Sequence, residues 1–400
     1  MTVHAQDSPL AGGTTGGAAG ETTSAAPLDA AQSAALRELQ ARVREGGALR
    51  IVGHGSKDFY GGPLTPPNVA GPLPVLSTTA LSGVLAYEPS ELYLTALAGT
   101  PLAEVEALLA AHGQHLAFEP PRFVGAASGG QGTVGGMVAT GLSGPARATS
   151  GAVRDHVLGL SMLNGQAELL HFGGTVMKNV AGYDVSRLMA GALGVLGLIT
   201  QVTLKVLPVP VASATLRFEA GQDEALIQMN RWGGQPLPVS ATAWWDGALV
   251  VRLSGAEAAL SSALRRLGGD VIPEQMAAPF WRGLRDQSDE FFLGARRAVQ
   301  GGAAMWRIAV PPTTPAMPLH GEQLIEWGGA QRWVVTPMAP AQLRDLVAAA
   351  GGHATLFYAN DKSAGAFSPL GPQLTRIHQS LKREFDPAGI FNPGRLYPDL

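Results

Sequence analysis

"GGTVMKNVAGYDVSRLMAGALGVLGLITQVTLKVLP", residues 173–208, reads as a helix running into a long strand, yet it carries glycine at 173, 174, 182, 191, 194 and 197. Each glycine inside an element costs roughly 0.5–1 kcal/mol relative to alanine. A chain that accepts this cost so often does so because something must come close to its backbone.

Two further glycine-rich segments precede it, "GHGSKDFYGG" (53–62) and "GAASGGQGTVGGMVATGLSGPAR" (125–147). None of the three contains G-x-x-x-x-G-K-[ST], which excludes a P-loop. The first follows a strand but does not open a helix as G-x-G-x-x-G, and no regular βαβ alternation surrounds it, so a Rossmann fold is not expected. What the loops share is backbone N–H groups with no Cβ to block approach, the concave nests that bind phosphate oxygens. The "TVGG" string (133–136) also opens a helix, "GGMVATG", whose free N–H groups and dipole favour an anion. Together the loops are expected to cradle a pyrophosphate; taken singly, each is equally explained by turns.

Composition narrows the chemistry. The 400 residues are 46% hydrophobic, enough for two or more domains with sizeable cores, and the net charge of -3 (28 Lys+Arg, 31 Asp+Glu) gives no basic surplus for nucleic acid. Cysteine is absent. Disulfides, thiolate zinc sites, a cysteine nucleophile and iron–sulfur clusters ligated by this chain are thereby excluded, and redox chemistry needs an organic cofactor. The nine histidines form no H-x-H or H-E-x-x-H pair, so no metal site is expected. No basic leader with an apolar core opens the chain and no span of roughly 18 apolar residues follows, so a cytoplasmic location is expected.

Residues 1–30, rich in Gly, Ala, Thr and Ser, are expected to form a disordered tail. "LDAAQSAALRELQARVREGG" places Ala35, Leu36, Leu39 and Val43 at helical spacing, with Asp29 as cap and Gly46-Gly47 as stop. Leu49 to Val52 follows as a short strand, and residues 84–120 give strand, strand, helix (Pro101 to Ala111) and strand. "HVLGLSMLNGQAELLHF" predicts a hairpin tightened by Asn164-Gly165. After about Pro210, "SATLRFEA", "DEALIQMNRW", "SATAWWDGALVVRLSG", "EAALSSALRRLGG" and "DVIPE" make a β-α-β-β-α-β run, the ferredoxin-like unit. A weaker echo follows in residues 304–359, with the Pro-rich "PPTTPAMP" in place of the first helix. This predicts two related half-sheets in one cap.

The strings "RIVGHGSKDFYGG", "FEPPRFVGAASGGQGTVGGMVATGLSGPAR", "RDHVLGLSML", "KNVAGYDVSRLMAGALGVLGLITQVTLKVLP" and "FDPAGIFNPGR" resemble the FAD-binding domain of the vanillyl-alcohol oxidase and para-cresol methylhydroxylase (PCMH) superfamily. Within it the chain resembles the E-subunit family of bacterial glycolate oxidases, and the cap strings "FWRGLRDQ", "MWRIAVPP" and "EWGGAQRW" carry the likeness to the C-terminal part. The resemblance implies an α+β architecture. A PCMH-type FAD-binding domain of two α+β subdomains would occupy 31–210, a ferredoxin-like α+β cap 211–370, and a C-terminal helix and arm returning to the FAD domain 371–400.

It also implies FAD in an extended pose, with Gly53, His54, Gly55, Ser56 and Lys57 on one side and Thr133, Val134, Gly135, Gly136 and Thr140 on the other. Gly194, Gly197 and Ile199 would approach the flat rings, and Pro121 and Lys178 would complete the set. Many relatives join FAD covalently to histidine in "R-x-G-G-H-S"; here "VGHGSK" moves the histidine, so FAD is expected to be noncovalent. Lys178, Tyr183 and Asp184 are equally read as a solvated turn, with Asp184 capping "VSRLMAG". Direct oxidisers of 2-hydroxy acids in this superfamily carry "H-G-H-x-G-D-G-N", which this chain lacks, and no base is evident. Arg332, Trp327, Gln331, Asn392 and Arg395 are candidates to face the flavin, with core or interface roles equally open. The implied function is oxidation of glycolate to glyoxylate, or relay of its electrons, with a D-type flavoprotein and an iron–sulfur subunit, peripheral to the inner membrane through that complex. The alternative is a non-catalytic, flavin-stabilised assembly subunit.

Overall fold

A computed structural model describes residues 26–67, 69–123, 129–175 and 184–400. The expectations for the N-terminal tail up to residue 25, and for Lys178 and Tyr183, lie outside them.

The first lobe is small and is built by both ends of the described chain. Asp29 caps the helix Ala30–Glu45 by accepting from the Gln32 N–H at 2.8 Å, and the Gln32 side chain returns the bond to the Asp29 N–H at 3.0 Å. Ala35, Leu39 and Val43, four residues apart, turn inward. Strand β1 (Arg50–Val52) pairs in parallel with β2 (Val75–Ser77). The C-terminal arm lies beside β1: the Leu49 N–H donates to the Ile390 carbonyl at 2.7 Å, and the Asn392 N–H to the Leu49 carbonyl at 3.0 Å. Leu39, Leu49, Leu76, Ile390 and Phe391 close one core. The arm itself is fastened by a buried ion pair, Lys382 with Asp386 at 2.7 Å, whose carboxylate also accepts from the Ile390 and Phe391 N–H groups.

The second lobe is an antiparallel sheet of β3 (Val84–Glu88), β4 (Tyr93–Leu97), β6 (Val157–Leu163), β7 (Leu169–Gly173) and β8 (Leu198–Lys205), in the order β3-β4-β8-β6-β7. Between them β5 (Gln114–His115) pairs with β9 (Leu207–Pro208). The helices Leu102–Ala111 and Val134–Thr140 bury Leu102, Val105, Leu109, Val134 and Met137 against the sheet. Two expectations are corrected here. The β6–β7 hairpin has a longer loop in which Asn164 Oδ1 accepts from the Gln166 and Glu168 N–H groups, Ala167 takes the left-handed conformation (φ 59°), and Gly165 sits against Asp386. Among the described residues of the opening stretch the helix is a single turn, Val185–Leu188, capped by Asp184 and followed by turns that lead into β8.

The third body is one eight-stranded sheet. Strands β10 (Ala212–Glu219), β11 (Val239–Trp245), β12 (Ala248–Gly255) and β13 (Asp270–Ile272) form one half; β14 (Ala304–Ala309), β15 (Glu322–Glu326), β16 (Gln331–Thr336) and β17 (His353–Tyr358) form the other. The order β13-β10-β12-β11-β15-β16-β14-β17 is a ferredoxin-like 4-1-3-2 arrangement followed by its mirror, joined by the antiparallel pair β11–β15. Helices Gln222–Gly233, Glu257–Leu267 and Pro340–Ala349 cover one face. On the other, Ala243, Met305, Leu324, Trp333 and Phe357 meet the helices Glu274–Asp286 and Glu290–Gln300 and, from the first two lobes, Tyr60, Phe123, Leu142 and Leu193. The cap is thus seated on the two lobes by an apolar contact.

Candidate FAD site

The two lobes and the arm enclose an open cleft of about 830 Å³. It brings together Gly53, His54, Gly55, Ser56, Lys57, Thr133, Gly135, Gly136, Thr140, Gly194, Gly197, Ile199, Asn392 and Arg395, segments separated by up to some 340 positions in sequence. β1 ends at Val52 and the chain turns at once, so residues 53–57 form the rim of the cleft. Among the described residues, the N–H groups of Gly53, Gly55, Ser56 and Lys57 donate to no acceptor. The Lys57 side chain is buried in the wall, 8% exposed, and among the described residues its ammonium has neither hydrogen bond nor ion pair. Burial lowers its pKa from 10.5 to about 8, against the opposing pull of Asp286. A row of unused amide donors beside a buried lysine is a built anion site.

The glycines serve two purposes. A Cβ on Gly53 would lie 2.4 Å from the Thr133 hydroxyl, and one on Gly197 2.1 Å from Met162 and 2.8 Å from the Leu163 carbonyl. At these positions the close approach is to the protein's own walls. Gly136 differs: only the Thr133 hydroxyl, at 3.2 Å, stands near where its Cβ would be.

Several expected contributions change. The first-turn amides of the helix Val134–Thr140 are not free for an anion, because Val134 donates to the Thr100 carbonyl, Gly135 to the Ala98 carbonyl and Gly136 to Thr133 Oγ1. Val134 itself is fully buried in the core behind the cleft. Asn392 faces the cleft, but its amide is occupied: Oδ1 accepts from the Ile51 N–H at 2.7 Å and Nδ2 donates to the Leu193 carbonyl at 2.7 Å. It couples β1, the arm and the 193 turn. The Arg395 guanidinium holds the carbonyls of Asp58, Tyr60 and Gly62, and burial lowers its pKa to about 10. Arg332 stands on the far face of the cap sheet, where it donates to the carbonyls of Gly329, Pro315 and Thr314 and is fully buried. Trp327 donates to the Gly144 carbonyl and stacks on Arg147.

Pro121 and Gln331 line a second, narrower cavity between the cap and the lobes. This cavity also holds residues that sequence reasoning missed, above all Glu326. Strand pairing sets Glu326 opposite Gln331 and Arg307 opposite Trp333, all on the face that meets the lobes. The period of two in "QRW" is the signal that separates inward Gln331 and Trp333 from outward Arg332.

Comparison with known proteins decides the family. Residues 30–173 match the FAD binding domain family. Over 367 residues, 92% of this chain and 97% of the relative, the chain is 44% identical to glycolate oxidase subunit GlcE of Escherichia coli (strain K12). The chain belongs to the GlcE family. Other relatives are similar over shorter stretches: D-2-hydroxyglutarate dehydrogenase of Xanthomonas citri pv. viticola at 32% over 51% of this chain and 42% of its own length, and glycolate oxidase subunit GlcD of Bacillus subtilis (strain 168) at 36% over 21% and 18%. Among solved structures, alkyldihydroxyacetonephosphate synthase aligns with a TM-score of 0.58 over 90% of this chain and 75% of its own, at 16% identity, a likeness of fold alone. The GlcE-family chain described here is therefore a PCMH-type α+β flavoprotein with an FAD-binding domain. Among the described residues no group of three His, Asp or Glu is placed to hold a metal, and no helix is long and apolar enough to cross a membrane.

Proposed function

We propose that the chain is the FAD-binding subunit of a glycolate oxidase, oxidising glycolate to glyoxylate or passing on its electrons. The observation that carries this reading is the rim at 53–57, where unused amide donors converge with buried Lys57 in a chain that is similar to GlcE almost end to end. In this reading the loop 53–57 and Lys57 hold the pyrophosphate, Thr133 and Gly136 close its other side, and Gly194, Gly197 and Ile199 line the path of the flat rings. Asn392 and Arg395 are positioning residues that keep the rim in place. Residues 31–210 with the returning arm 371–400 form the cofactor unit, and 211–370 the cap. FAD is held without a covalent bond, since "VGHGSK" carries its histidine one place before the attachment position of "R-x-G-G-H-S".

Bound FAD supplies the two-electron acceptor for a hydroxyl-bearing substrate. With no cysteine, the chain ligates no cluster of its own, so the electrons leave through partners: a second, D-type flavoprotein and an iron–sulfur subunit. The test is co-expression. The full chain alone is expected to turn over little glycolate with an artificial acceptor, and activity is expected when both partners are present. Robust turnover by the chain alone would refute the dependence on partners.

A further inference from the structure

Directly after the rim, the carbonyls of residues 58–62 are taken by two cations that arrive from different parts of the chain. Arg395, on the C-terminal arm, donates to the carbonyls of Asp58, Tyr60 and Gly62. Lys362, in the loop that leaves β17 of the cap, takes the two in between: its ammonium donates to the carbonyls of Phe59 and Gly61, and to that of Phe357 at 3.0 Å. Five consecutive carbonyls are thus satisfied by side chains, where backbone acceptors are mostly paired with backbone donors. The side chains of the same segment seat in the cap, Phe59 stacking on Tyr358 with ring centroids 4.2 Å apart and Tyr60 meeting Phe357 and Phe367. Lys362 itself is not among the residues that line the cleft.

A chain of peptide planes nevertheless connects it to the rim. The peptide whose carbonyl Lys362 holds, Phe59–Tyr60, donates through the Tyr60 N–H to the Lys57 carbonyl at 3.0 Å. The Lys57–Asp58 peptide in turn donates through the Asp58 N–H to the Gly55 carbonyl at 3.3 Å. The Gly55–Ser56 peptide then presents the Ser56 N–H, one of the unused donors of the rim. Each unit is planar, so fixing its carbonyl fixes its N–H. The three dipoles follow one another head to tail with their positive ends toward the cleft, an arrangement in which hydrogen bonds strengthen one another.

We propose that Lys362 is a positioning residue for FAD: from the cap it sets the orientation of the Ser56 N–H in the rim, so that the rim is in order for the cofactor only while the cap is seated. The proposal rests on the reading of the rim as the FAD site. Burial, and after it the nearby Arg395 charge, lower the Lys362 pKa from 10.5 to about 8. The neutral amine keeps two N–H groups, enough for the Phe59 and Gly61 carbonyls, so the support does not depend on that proton.

The test is fluorescence titration of the flavin-free full chain with FAD. Lys362→Met is expected to weaken FAD about tenfold. Lys362→Arg, for which the open cavity beside Lys362 leaves room, is expected to stay within threefold of wild type. Val347→Ala, which loosens the packing on the opposite face of the cap, is expected to leave FAD affinity within twofold. In residue-resolved hydrogen exchange of the flavin-free chains, the Asp58 and Tyr60 amides are expected to exchange at least tenfold faster in Lys362→Met, with β6 and β8 as in wild type. If Lys362→Met does not fold, Lys362→Gln, one bond shorter than lysine, takes its place with a loss of at least threefold expected. Unchanged FAD affinity or unchanged exchange in the shortened variant, an equal loss in Lys362→Arg, or an equal loss in Val347→Ala would overturn the proposal. A wild-type chain that binds no FAD sinks the FAD reading and leaves the exchange of Asp58 and Tyr60 to test the support from Lys362. A wild-type chain that binds FAD, beside a Lys362→Met chain that matches it in affinity and exchange, sinks the role of Lys362 alone.

Discussion

Replacing Lys57 with methionine is expected to stabilise the flavin-free chain and weaken its hold on FAD. The ammonium is buried, and its pKa falls from 10.5 to about 8. At 1.36 kcal/mol per unit, keeping it charged in the fold costs about 3 kcal/mol, an upper figure for what Lys57→Met recovers at pH 7. The sign follows from proton counts: between pH 8 and 10.5 the unfolded chain holds more protons on this lysine than the folded one, so its penalty is complete below 8 and fades as pH rises through that window. Urea unfolding should therefore find the variant more stable than wild type at pH 7 and nearly equal at pH 11. Binding runs the other way. A charge-assisted hydrogen bond to a phosphate oxygen is worth about 1.5–3 kcal/mol, so the variant should bind FAD about 10- to 150-fold more weakly by fluorescence titration. Wild-type affinity should also fall as pH passes 8, and the variant's should not. A variant that binds FAD as tightly as wild type would refute the placement of this ammonium beside a bound anion.

Other outcomes are expected. Gly136→Val should lower flavin occupancy with unchanged far-ultraviolet circular dichroism, because its side chain would claim cleft space next to Thr133; full occupancy would remove this position from the site. Asp386→Ala leaves Lys382 buried without its partner and frees two backbone donors, so it should cost about 3–5 kcal/mol in urea unfolding and release the arm. Asn392→Ala orphans the Ile51 N–H and the Leu193 carbonyl and should cost about 2–4 kcal/mol, with FAD affinity falling in parallel. Acid precipitation should leave the yellow colour in the supernatant; colour in the pellet would mean a covalent bond.

Local signals carried much of the fold. Asp29 with Gln32 marked a helix start, the spacing of Leu39 and Val43 its inner face, and the β-α-β-β-α-β run from Ser213 the first half of the cap. The loops at 53–57 and 133–136 were legible because glycine beside Ser, Thr and Lys has a backbone meaning. What they do was not. That Gly53 makes room for Thr133, or that the Gly135 amide is taken by Ala98, depends on segments brought together only by folding. Arg332 looked available because a strand pattern read without its partner does not say which face is outward; pairing of β15 with β16 turns it away and brings Glu326 inward. Glu326 was passed over because a carboxylate at a strand end is ordinarily a solvated one. Its burial is a property of the cap's seat on the lobes.

The absorption spectrum and flavin content of the purified full chain show whether the cleft beside Lys57 holds FAD. Flavin bands, one FAD per chain and a marked loss of both in Lys57→Met purified in parallel are expected. A natively folded chain without FAD, or FAD undiminished in that variant, would contradict this placement.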